Sequence, residues 1–124
     1  PKHLYVVYVG PTSDGRYGTW QGFPKVGESV AISLRRGATL RGRIEDGSDV
    51  EPASRRVDLH AYVGAEVQVP VSDSGTFEQA GLSTECYWKI VVTARSRTGT
   101  ALRAEGTWKH DPSEMILRLE PVKD

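Results

Sequence analysis

The 124-residue chain has no asparagine, one cysteine and one methionine, and its sixteen basic side chains are cancelled by sixteen acidic ones. Each shortage excludes something. Without asparagine there is no N-glycosylation acceptor and no Lys–Asn crosslink of the kind some adhesin sandwiches use. Cys86 has no second thiol, so neither an internal disulfide nor a cysteine metal knuckle can form. Set in a strand-like run, it reads as a small apolar core residue. The charge balance leaves no bulk field to draw the chain to nucleic acid or anionic lipid, and neither is an expected partner. No apolar run approaches the roughly 18 residues that cross a bilayer, so membrane insertion is not expected. The chain opens at Pro1, with no Met and no charged-then-apolar leader, and is expected to be a domain of a longer or processed polypeptide.

Helical periodicity is also missing. In its place stand short alternating apolar runs punctuated by Gly, Pro, Asp and Ser. LYVVYV (4–9) is apolar on both faces and suits a central strand. PTSDG (11–15) supplies turn chemistry. VAISL (30–34) aligns Val30, Ile32 and Leu34, and TLRGRI (39–44) aligns Leu40, Gly42 and Ile44, so these two runs are expected to be neighbouring strands. EDGSDVEPAS (45–54) reads as a loop. VDLHAYV (57–63) and VQVPV (67–71) alternate again, with Pro70 marking a strand end or sheet edge. SDSG (72–75) is a turn, TFEQ (76–79) a short strand, GLSTE (81–85) a connection, and CYWKIVVTA (86–94) the longest strand. ALRAEGTW (101–108) and MILRL (115–119) complete the set. Strands at about ten-residue spacing, polar outside and apolar inside, predict one all-β domain over 1–124. The expected form is an antiparallel two-sheet β-sandwich of about seven to nine short strands.

The order of these pieces resembles the carboxypeptidase regulatory-like domains, a transthyretin-like (prealbumin-like) β-sandwich family. Leu40, Gly42 and Ile44 match that family's L-x-G-x-V strand, and EDGSDVEPAS stands at its loop. Val57 and Leu59 fall on the next strand. Asp73, Gly75 and Phe77 match its D-x-x-G-x-F turn, Gly81 and Leu82 its G-L pair, and Trp88, Ile90, Val92 and Ala94 its last strand. The match spans about residues 38–95, and 1–35 is left as extra N-terminal strands or the end of a preceding module. STEC replaces the Gly that precedes the last strand, and Trp88 replaces the usual Tyr. The resemblance implies a transthyretin-like Greek-key topology and a non-catalytic accessory or structural role. The module would be a spacer or protein-interaction domain in a larger extracellular or cell-envelope protein, its partners neighbouring domains or another protein.

No catalytic residue, metal ligand or cofactor is expected, and a small hydrolase or isomerase domain using His60 or His110 is the least favoured alternative. His3, His60 and His110 lie in unrelated segments without the i, i+2 or i, i+4 spacing of a metal pair. There is no nucleophile elbow and no phosphate-cradling loop. Enzymes with the same sandwich topology carry residue sets that are absent here. These are the His, Arg and Tyr-Arg-Gly-Ser set of hydroxyisourate hydrolases and the Tyr/His iron set of intradiol dioxygenases.

The candidate binding residues are aromatic. Tyr17, Trp20 and Phe23 fall among glycines and Trp108 precedes a polar loop, an arrangement able to grip a sugar ring or a peptide and equally able to plug the ends of a sandwich. A glycan is therefore an alternative ligand. Arg35, Arg36, Arg41 and Arg43 form the densest basic group, with Glu45, Asp46 and Asp58 as expected neutralising partners. An unpaired edge strand would allow a weak dimer by sheet extension, while Pro70 and charged strands would guard such an edge and keep a monomer.

Overall fold

Four loops of this chain are built alike. In Ser72–Thr76 the Ser72 N–H donates to Thr76 O (2.9 Å), the Gly75 N–H to Ser72 O (3.0 Å) and the Thr76 N–H to Ser72 Oγ (3.1 Å). The same three bonds recur in Thr12–Arg16 and Ser96–Thr100, and the two backbone bonds recur in Ala61–Ala65, where no hydroxyl is available. In the first three the sequence pattern is a hydroxyl residue, two polar residues, then Gly. The Gly carries the positive φ, 80° at Gly15, 85° at Gly75 and 92° at Gly99, that a side chain would resist.

The computed structural model describes residues 4–23, 25–45, 49–61 and 64–122, and these are all-β apart from one 3-10 turn at Pro52–Ser54. The strands are β1 (Tyr5–Val9), β2 (Arg16–Gly22), β3 (Arg35–Arg36), β4 (Ala38–Glu45), β5 (Arg56–Ala61), β6 (Glu66–Val69), β7 (Thr76–Leu82), β8 (Trp88–Arg95), β9 (Ala101–Trp108), β10 (Met115–Arg118) and β11 (Glu120–Pro121). They form a five-stranded sheet in the order β11-β9-β8-β5-β6 and a three-stranded sheet β10-β4-β7. A separate three-stranded sheet, β1-β2-β3, comes from the N-terminal third.

The first two sheets share one core. Leu40 and Ile44 of β4, Phe77 and Leu82 of β7 and Leu117 of β10 belong to the same buried cluster as Val57 and Leu59 of β5, Trp88, Ile90 and Val92 of β8 and Trp108 of β9. Alternation puts them there. In β8 every second residue from Trp88 to Ala94 is buried, while Lys89 and Arg95 are exposed. Each fully buried Leu, Ile or Val contributes on the order of 1.5–3 kcal/mol. The tip of the Phe77 ring reaches over Gly42, where a Cβ would stand 2.2 Å from its Cζ. The two motif residues Gly42 and Phe77 are thus one packing device.

Several expectations are corrected. LYVVYV is an edge strand, not a central one: β1 pairs only with β2. VAISL forms no strand, because β4 takes β7 and β10 as its neighbours. The segment instead lies against β2, where a Cβ on Gly18 would meet Ile32 Cγ2 and Leu34 Cδ2 at 2.7 and 3.2 Å. The β10–β4 pair is parallel, with Met115 opposite Gly42 and Leu117 opposite Ile44. Strand β7 runs on through Leu82, so the G-L pair ends a strand instead of opening a connection. Cys86 precedes β8, half-buried against the core. Eleven strands exceed the expected number, two of them only two residues long. His3, Asp46, and the Tyr62–Val63 end of the expected 57–63 strand lie outside the described residues.

Candidate functional site

The four aromatic candidates separate. Tyr17 is 2% exposed; its ring stacks on Tyr8 (centroids 6.3 Å apart, 12° between planes) and its hydroxyl lies 3.2 Å from Thr84 Oγ1. Trp108 is also 2% exposed, with its indole N–H donating to Asp111 O at 3.0 Å. Both fill the interior and present no ring face to a ligand. Trp20 and Phe23 are different: Trp20 is half-buried and Phe23 is 58% exposed just beyond the end of β2. Spacing alone separates Tyr17 from Trp20. Three residues apart on one strand, they must face opposite sides of the sheet.

The register of β1 against β2 fixes which side is which. Tyr8 lies opposite Thr19 and Val6 opposite Gln21, on the same side as Tyr17; Val7 lies opposite Trp20 and Tyr5 opposite Gly22, on the other. The first side is docked on the sandwich. Tyr8 stacks on Tyr17 and meets Trp88 edge-on, with centroids 6.0 Å apart. Burial pushes the Tyr8 phenol up to about 12, with the backbone of Ser83 opposing part of that shift, yet no group reaches hydrogen-bonding geometry with the buried hydroxyl. Glu85 holds the margin, accepting from Arg35 Nη1 at 3.0 Å and Thr19 Oγ1 at 3.3 Å.

The second side faces away from the sandwich; residues 32–34 cover it at Gly18, and beyond them it is apolar and open. Tyr5 is 52% exposed and Val7 38%, with the Trp20 indole folded back over Gly22, 2.9 Å from where a Cβ would stand. Leu4 and Val6 are equally open at 54% and 46%. The structure therefore brings Tyr5, Val7 and Trp20 together on one face, and only Trp20 had been singled out in the sequence. The signal for the others was present: β1 has no charged residue with which to face water.

One cleft is small and another is lined with ion pairs. The first, of about 190 Å³, lies where β1 and β2 meet the 83–86 segment, lined by Val6, Thr19, Trp20, Gln21, Ser83, Glu85 and Cys86, so the predicted Trp20 borders it. Ligand pockets usually run to about 300–1,000 Å³, so it has room for one ring or one side chain. A hollow of about 500 Å³ runs along Arg103, Glu105, Ile116, Arg118 and Val122. Three of its four charged residues are ion-paired, Glu105 with Arg103 and Lys89, and Arg118 with Glu45; the fourth is Glu120. Hydrogen bonding from Arg103 holds the Glu105 carboxyl below its usual range.

The basic group finds partners other than those expected. Arg41 pairs with Glu78 (3.4 Å), Arg43 with Glu114 (3.7 Å) and Arg35 with Glu85 (3.0 Å), while Asp58 takes Arg56 (2.9 Å). His60 sits 3.3 Å from Glu66 on the outer face of the β5–β6 pair. His110, at φ 66°, directs Nε2 at two carbonyl oxygens, Cys86 O at 2.7 Å and Ser83 O at 3.2 Å. Two acceptors require that Nε2 carry the proton. Its ring also meets Trp108 edge-on, so His110 ties the loop after β9 to the turn before β8. Among the described residues no three His, Cys, Asp or Glu are grouped so as to hold a metal ion, and no helix is long and apolar enough to cross a membrane.

A scan against protein-family models gave no match, and searches of curated proteins and of solved structures gave none either.

Proposed function

We propose that this chain is a non-catalytic accessory β-sandwich of the carboxypeptidase regulatory-like type, part of a larger secreted or cell-envelope protein, which works as an interaction module through its N-terminal β1–β2 hairpin. The transthyretin-like topology and the extracellular setting follow from the ordered motif of residues 38–95. The binding role is supported by one structural observation: β1 and the preceding Leu4 expose Leu4, Tyr5, Val6, Val7 and Val9 along an unpaired edge strand while Tyr8 locks the strand to the core. A patch of about 300–600 Å² is the size of the largest apolar patch on a soluble domain, and such a patch is often functional.

Photo-crosslinking tests this reading. A benzophenone residue at Val9 in the full-length polypeptide, in the cells that make it, is expected to capture another domain or polypeptide. The same probe at Glu78, on the charged outer face, is expected to capture little. Equal and low capture at both positions overturns the reading.

A glycan is the second reading, favoured by the half-open Trp20 ring beside Tyr5. It requires glycan-array binding that Trp20→Ala abolishes while the thermal transition is kept.

A further inference from the structure

The three sheets have six edge strands among the described residues: β1 and β3, β10 and β7, β11 and β6. Five carry a device that discourages pairing with a foreign strand. β3 is two arginines, and β11 is Glu120-Pro121. β10 ends in Arg118, ion-paired to Glu45, and β7 carries Glu78, ion-paired to Arg41. β6 carries Glu66 and is followed at once by Pro70. β1, Tyr-Val-Val-Tyr-Val, has no charge, no proline and no glycine. A fold that guards five edges and leaves the sixth bare has an occupant for the sixth.

We infer that the occupant is a second copy of this chain, with the two β1 strands pairing antiparallel about a two-fold axis so that two β1-β2-β3 sheets become one six-stranded sheet. This rests on the interaction-module reading above and names the partner. Centring the pair on Val7 aligns all five residues: Val7 meets its own equivalent, Tyr5 meets Val9 of the second copy, and Val6 meets its Tyr8. Aromatic–β-branched and β-branched pairs are the favoured cross-strand combinations. A neutral strand suffers no like-charge repulsion when it meets itself, and the zero net charge of the chain adds none at longer range. The axis stands perpendicular to the sheet, so the Tyr5–Val7–Trp20 face of one copy continues into that of the other and the docked faces stay on their own sandwiches.

Area sets the strength. The open side chains of residues 4–9 present on the order of 400 Å² per copy, about half of what one partner contributes to a standard stable complex. An interface of that size belongs to the weak, reversible class, whose monomer–dimer exchange falls between about 1 µM and 1 mM.

Sedimentation equilibrium of the chain across that concentration range is expected to show monomer passing to dimer. Val7→Lys places two ammonium groups face to face on the axis and is expected to raise Kd at least about 10-fold, with circular dichroism unchanged; Val7→Thr is expected to keep the dimer. Should the lysine variant not fold, Val7→Cys in a Cys86→Ala background supplies the same test: air oxidation is expected to join two chains through residue 7. A wild-type chain that stays monomeric up to about 1 mM overturns the inference, as does a dimer indifferent to Val7→Lys, or a dimer that residue 7 cannot crosslink. A monomeric chain whose Val9 probe still captures a different polypeptide sinks the dimer and leaves the interaction reading standing.

Discussion

The sandwich and the N-terminal hairpin obey opposite surface rules. In the sandwich, apolar residues point inward and the outer faces are laced with ion pairs such as Arg41–Glu78 and Arg56–Asp58. In the hairpin the apolar residues point both ways, and one residue, Tyr8, accounts for the aromatic contact of β1 with the core. The difference teaches where selection acts on each. A sandwich residue is held by packing, whereas Leu4 and Tyr5 stay more than half exposed, so their apolar character has to be explained by something they meet.

That contrast breaks most visibly at Trp88. The side chain is fully buried at the centre of the five-stranded sheet, opposite Trp108 and Ala61, and its indole N–H donates to Ser83 O at 3.1 Å. Trp88→Ala is expected to cost about 3–5 kcal/mol and to lower the thermal midpoint by well over ten degrees or unfold the chain. Tyr5→Ser, in dilute solution, is expected to cost under about 0.5 kcal/mol. Equal losses in calorimetry would show that β1 is core after all. Gly42→Ala comes next: its Cβ would overlap the Phe77 ring, and pushing that ring aside is expected to cost about 1–3 kcal/mol by denaturant titration. Restoration by Gly42→Ala with Phe77→Leu would identify the ring as the obstacle.

How much of this could be read in the sequence depended on what each signal encodes. The strands between 38 and 95 were legible because each is half-buried, so period-2 alternation marks both the strand and its inner face. The turns were legible because a hydroxyl residue three positions before Gly specifies the bonds that close them. β1 was placed wrongly because a run apolar on both faces is the usual mark of a strand covered on both faces, and nothing in a single chain shows that the cover is missing. VAISL alternates like a strand, but β4, its expected neighbour, is paired on both sides by β7 and β10, and partners are a property of topology. Direction is likewise invisible to period 2, so the parallel β10–β4 pair could not be foreseen. Of the four aromatic candidates, composition chose them and parity sorted them: Tyr17 turns inward and Trp20 outward because they are an odd number of residues apart.

The smallest predicted effect lies where the two regions join. The Tyr8 hydroxyl is buried without a hydrogen-bond partner, and its pKa is raised to about 12 by desolvation first, against some relief from the Ser83 backbone. A raised phenol pKa means that the folded chain holds this proton more tightly than the unfolded chain. Below about pH 10 both states keep it and the contribution to stability is complete. Between pH 10 and about 12 the unfolded chain ionises first, and stability falls as pH rises. Tyr8→Phe removes both the unpartnered oxygen and the titration while leaving the stacking ring. At pH 7 the variant is expected to be as stable as the wild type or more stable by up to about 1 kcal/mol. Its thermal midpoint is expected to fall less steeply than that of the wild type above pH 10. Parallel pH profiles would mean that Tyr8 is solvated and that the hairpin does not dock through it. A large loss at pH 7 would mean that the hydroxyl has a bonding partner after all.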